Sequence, residues 1–131
     1  MAQVIAQRGW GGVNVLALEE RGMPEPGAGQ VALDQRAIGF NYFDILQRKG
    51  VLSPNEPGRI MGIEGAGVVT VVGPEVPDFS IGDRVAYLRS QGAYASERLV
   101  DASTLVKLPD ALEFEDAAAI TVKGFTAWLA V

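Results

Sequence analysis

Apolar and polar positions in this chain alternate mainly with the short period of strands. Residues 4–7 and 13–19 predict two strands joined through Gly9-Trp10-Gly11-Gly12, whose glycines make a tight reversal easy. Residues 23–30 carry breakers dense enough to exclude a central strand. Val31, Leu33, Gln35 and Ala37 then alternate with Ala32, Asp34, Arg36 and Ile38, a period of two that ends at Gly39. Further on, 68–72 predicts a fully buried strand closed by Gly73-Pro74, 81–87 a turn leading into a strand, 93–100 another and 104–107 a short last one. About seven short strands with turns between them predict a sandwich or barrel.

Two stretches change period. From Phe40 a short helix is expected: Asn41 is a good N-cap, Asp44 stands three residues on, Arg48 and Lys49 fall in the last turn, and Gly50 supplies the C′ position. Its apolar side is Tyr42, Phe43, Ile45 and Leu46, and the loop 51–58 after it holds two prolines. At the other end, 112–120 begins acidic and continues in strong helix formers, and 121–131 reads as a second helix with Thr121, Phe125, Trp128 and Val131 on one face. This run closes without glycine, proline or a polar cap. The expectation is therefore one domain over 1–120, with 121–131 opening a helix toward a further domain.

The densest signal lies at 57–72, where Gly58, Gly62, Gly65 and Gly67 precede a β-branched run and Glu64 sits among apolar neighbours. Glycines at this density point to a bent strand entering a crowded site. On residues alone, the corners of a small barrel with a hydrogen-bonded structural acid explain the stretch equally well.

Composition narrows the chemistry. A net charge of −5 with scattered basic residues argues against nucleic acid or an anionic membrane as partner. Cysteine and histidine are both absent, which removes thiol nucleophiles, disulfides and the softer zinc ligands together. No stretch has the length and apolarity of a membrane span or of a secretory leader, so a soluble, cytoplasmic protein is expected.

The order of motifs resembles the zinc-independent medium-chain dehydrogenase/reductases, specifically the N-terminal GroES-like domain of the quinone oxidoreductase (zeta-crystallin-like) branch. The likeness runs over essentially the whole chain. It rests on Gly39-Phe40-Asn41-Tyr42-Phe43-Asp44, Arg48-Lys49-Gly50, Pro57-Gly58, Gly62-Ile63-Glu64-Gly65-Ala66-Gly67 with Gly73 six residues on, and Gly82-Asp83-Arg84-Val85. It continues through Gly92-Ala93-Tyr94-Ala95-Ser96-Glu97 and Ala117-Ala118-Ala119 followed by Gly124-Phe125-Thr126-Ala127. Zinc members of the superfamily have Gly-His-Glu where this chain has Gly62-Ile63-Glu64, and isoleucine has no lone pair to give.

The resemblance implies a mainly β fold, a partly open barrel with short helices and a C-terminal helix leading to a Rossmann domain outside the chain. It implies hydride transfer from NADPH, held mainly by that other domain, to a quinone or α,β-unsaturated carbonyl in the cleft between the two. A homodimer is implied for the whole protein, and the 131-residue piece alone is expected neither to turn over NADPH nor to bind it tightly. No residue here is assigned a catalytic role. Asn41, Lys123 and Thr126 match positions that touch the cofactor, whereas Tyr42, Leu46, Leu52, Ile63 and Tyr94 are the candidates for the substrate pocket. Leu46 and Leu52 stand where bacterial quinone reductases often carry tyrosine. Asp44 reads as a capping residue rather than an acid catalyst, and Glu64 as a structural acid holding Arg59 or backbone amides. Glu113 replaces the Ser or Thr that commonly opens the late helix, leaving Asp110 or water to cap it. Two alternatives stand beside this reading: a stand-alone binding or assembly module akin to a co-chaperonin, and an enoyl-thioester reductase on the same scaffold.

Overall fold

The computed structural model describes residues 1–52 and 58–131. Pro54 and Pro57, with the start of the glycine stretch, lie outside the described residues. Among the described residues eight strands form: β1 (Ala2–Gln7), β2 (Leu16–Arg21), β3 (Gln30–Gly39), β4 (Arg59–Ile60), β5 (Glu64–Val72), β6 (Arg84–Tyr87), β7 (Glu97–Asp101) and β8 (Leu105–Lys107). Two helices accompany them, α1 (Tyr42–Arg48) and α2 (Phe114–Leu129). None of the helices described is long and apolar enough to cross a membrane.

The strands pair antiparallel in two sheets, β2-β1-β4 and β7-β3-β5-β6-β8. Val31, Leu33, Val69, Val85, Tyr87 and Val100, all alternating inward, make the larger core. Register shifts at Ala32/Leu33 and Gln35/Ala37 let β3 bend around it, as bulges do. The segment between β6 and β7 then crosses to the smaller sheet: Ile5 donates its N–H to the Tyr94 carbonyl at 2.8 Å, Tyr94 its own to Met61 at 2.7 Å, and Val4 bridges to Ala95. The outcome is the expected mainly β, partly open barrel.

Several elements differ from their sequence signals. Residues 13–15 form a 3-10 turn, so β2 starts only at Leu16. The pair Arg59–Ile60 joins β1 as a strand too short to leave a pattern. The run at 68–72 is not fully buried. β5 begins earlier, at Glu64, and is buried continuously only to Gly67, where α2 covers its outer face; beyond that, Thr70 and Val71 face solvent while Val69 stays in the core. The two helices expected over 112–131 are one, α2 running without a break from Ile120 into Thr121. No side chain caps the Glu113 end of α2. Instead Glu115 and Asp116 oppose the helix dipole there, and Arg84 grips the preceding turn through the carbonyls of Pro109, Asp110 and Leu112.

Small residues bring α2 close to the sheet. Ala117 and Ala118 pack on Ala66 and Ala86, with Ala37, Leu108, Leu112 and Phe114 around them. The approach is tight at Gly39, where a Cβ would overlap both the Ala118 carbonyl oxygen and the Glu64 carboxylate.

A buried carboxylate and the cleft between two helices

Glu64 is fully buried at the head of β5, directly across the ladder from Gly39. The missing side chain at Gly39 makes room for its carboxylate, and α2 closes over it. Oε1 accepts the Val122 backbone N–H at 2.5 Å, while Oε2 accepts Asn41 Nδ2 and Lys123 Nζ, each at 2.9 Å. The buried anion thus has three donors, one of them a cation, which is what its desolvation requires. Lys123 keeps about half of its side chain exposed, and Asn41 is buried. One carboxylate therefore ties the head of α1 to the middle of α2.

Asn41 and Asp44 form the capping box expected at α1. The Asp44 Oδ2 accepts the Asn41 backbone N–H at 2.9 Å and the Tyr94 hydroxyl at 3.0 Å; its Oδ1 is buried without a partner among the described residues. Burial, opposed by those two hydrogen bonds, pushes the Asp44 carboxyl above its ordinary value. The Tyr94 hydroxyl is likewise pushed up, by burial first and then by the Asp44 charge. Gly62 accommodates the Tyr94 ring at a φ of 86°, a conformation in which a Cβ would strike that ring.

Between α1, α2 and the 88–91 loop lies an open cleft of about 610 Å³, lined by Phe43, Gln47, Ile63, Arg89, Phe125 and Thr126 among others. Arg98 braces the loop from behind. Its guanidinium lies over the Tyr87 ring and donates to the carbonyls of Ser90 at 3.0 Å and Gln91 at 2.9 Å. Gln47 donates through Nε2 to Gln91 Oε1 at 2.8 Å, and its own buried Oε1 has no partner among the described residues.

The expected site residues therefore divide. Ile63 and Thr126 meet in this cleft, and Asn41 and Lys123 meet on Glu64. The Thr126 hydroxyl donates to the Val122 carbonyl at 2.8 Å. Tyr42 and Leu52 are exposed and Leu46 is half-buried, none of them lining the cleft; Tyr94 lines a separate groove beside β3. For Glu64, Lys123 takes the place expected of Arg59, together with one backbone amide. Sequence reading missed Gln47, Arg89 and the Glu64–Lys123 pair. The pair is 59 residues apart without shared periodicity, and neither Gln47 nor Arg89 belongs to a motif.

Comparison with known proteins bears on this arrangement. The chain is 42% identical over 128 residues to a quinone oxidoreductase of Pseudomonas aeruginosa, covering 96% of this chain and 39% of that protein. It is also 42% identical over 133 residues to a 2-haloacrylate reductase of Burkholderia, with 97% of this chain and 39% of that protein covered. The crystal structure of Escherichia coli quinone oxidoreductase complexed with NADPH superposes with a TM-score of 0.94 at 34% identity, over 98% of this chain and 40% of that one. The chain thus spans about two-fifths of the length of these relatives. The model of the alcohol dehydrogenase GroES-like domain matches residues 27–110, a span that holds β3 through β8 with both Asn41 and Glu64. By that match the chain belongs to the alcohol dehydrogenase GroES-like domain family.

Proposed function

We propose that this chain forms the acceptor-side wall of an NADPH-dependent, zinc-free reductase acting on a quinone or an α,β-unsaturated carbonyl. The observation that carries the reading is the cleft itself: an open, largely apolar space flanked by the Asn41–Glu64–Lys123 tie, with Ile63 and Thr126 on its walls. The names of the relatives, a quinone oxidoreductase and a 2-haloacrylate reductase, support an electron-poor acceptor.

When bound, the nicotinamide supplies the hydride; the residues described here orient and shield. Asn41, with Nδ2 committed to Glu64, holds its amide in one orientation. The side chain of Lys123 is about half exposed at the same seam, and Thr126 lies within a turn of it, so the three residues suit a polar cofactor lying along α2. The donor set opposes zinc: cysteine and histidine are absent from the sequence, Ile63 offers no lone pair, and both Glu64 oxygens accept hydrogen bonds. We read the whole protein as a cytoplasmic homodimer whose dinucleotide site lies mainly in a further domain.

The test is NADPH oxidation by the longer protein that carries this chain, assayed with a neutral quinone and a neutral enone after exhaustive dialysis against a chelator. Turnover with at least one acceptor is expected. Loss of activity on dialysis, restored by zinc, or no turnover with either acceptor would refute the reading.

A further inference from the structure

We propose that the cleft selects an acceptor carrying a carboxylate, and that Arg89 is the residue that engages it; this rests on the reading of the cleft as the acceptor site. Arg89 lines the cleft and is exposed, and it belongs to none of the ion pairs among the described residues. A second guanidinium, Arg59, lines the same cleft and has contacts of its own. No aspartate or glutamate is among the described residues of the wall, although the chain as a whole has a net charge of −5. Arg89 thus places a positive charge on the wall of an apolar recess in an acidic molecule. Glu64, next to Ile63 in sequence, is buried and already has Lys123.

The position of Arg89 is built rather than incidental. Its φ is 58°, the left-handed region that residues with a Cβ seldom enter. The following residues hold it there: Ser90 donates its N–H to the Ile63 carbonyl at 3.2 Å, and Arg98 clamps the Ser90 and Gln91 carbonyls. A guanidinium so placed at the mouth of an apolar cleft gives a planar carboxylate a matching fork, while Phe43, Ile63, Leu88 and Phe125 receive the unsaturated carbon skeleton. The same guanidinium chemistry would also suit a phosphate of the dinucleotide, so the test separates these two anions.

The experiment is an NMR titration of the 131-residue chain at low ionic strength with trans-cinnamate, with its neutral amide trans-cinnamamide, and with NADPH. Cinnamate is expected to bind about tenfold tighter than the amide, shifting the amide signals of 88–91 and Phe125. In Arg89→Gln that ratio falls to near one, and in Arg89→Lys most of it is kept. Equal affinity for the two probes, binding of neither, or an Arg89→Gln effect confined to NADPH overturns the proposal. The preference of the unaltered chain is decisive even if a variant fails to fold. Charge-selective binding without hydride transfer in the longer protein would defeat only the reductase reading, and turnover by a cleft indifferent to charge would defeat only this one.

Discussion

Glu64 carries three donors on two oxygens, and that ratio decides how substitutions there behave. Glu64→Gln replaces an acceptor with an NH₂ group that must face a backbone N–H, the Asn41 amide or the Lys123 ammonium. We expect a loss of about 2 kcal/mol in urea unfolding. Lys123→Met leaves the carboxylate buried with neutral donors only, and the expected loss is larger, about 3 kcal/mol. The opposite order would mean that the ammonium contributes little. Asp44 gives a separate, pH-dependent signal. Its folded carboxyl titrates above the ordinary 3.8, so the contribution it makes is present below that value and is lost as pH rises through the raised one. Urea midpoints across pH 3.5 to 7 should therefore show Asp44→Asn gaining on the unaltered protein as pH rises. Glu19 and Asp83, whose carboxyls are held low mainly by hydrogen bonds from Arg21 and from the Ser80 N–H, push total stability the other way. Only the difference between the two proteins isolates Asp44.

Among the elements, legibility followed the range of the forces involved. α1 could be read from the sequence because its cap, its basic last turn and its closing glycine are all local. β3 was legible for the same reason, its alternation being a property of ten consecutive residues. The break expected within α2 is absent: the helix runs on past the alanines that the sheet supports and through Thr121. Burial of β5 was overstated because Val68 to Val72 look alike in sequence, and only the reach of α2 separates covered from uncovered positions. In the site, Asn41 and Ile63 could be named from motif order, whereas the partner of Glu64 depended on how α2 docks. That docking depends on the bare position at Gly39. Gly39→Ala should push α2 off the sheet, costing about 2 to 3 kcal/mol and shifting the NMR signals of both Asn41 and Lys123. A variant of unchanged stability and unchanged α2 signals would show that the helix has slack.

The whole molecule presents an uneven surface. Along α2, Ile120, Phe125, Trp128 and Leu129 are all exposed, and Val51 and Leu52 are exposed beyond the end of α1. Exposed apolar side chains in this number favour association. Sedimentation of the 131-residue chain should accordingly show a weight-average mass that rises with concentration, and Trp128→Ser with Leu129→Ser should suppress the rise. A strictly monomeric unaltered chain at high concentration would contradict this.

The docking of α2 has a corollary. Docked through Ala117 and Ala118, held at Val122 and Lys123 by a carboxylate, and exposed beyond Thr126, the helix ends in turns that nothing among the described residues of the barrel covers. The same carboxylate holds the amide of Asn41, so the exposed last turns of one helix and the cap of another share a single point of attachment.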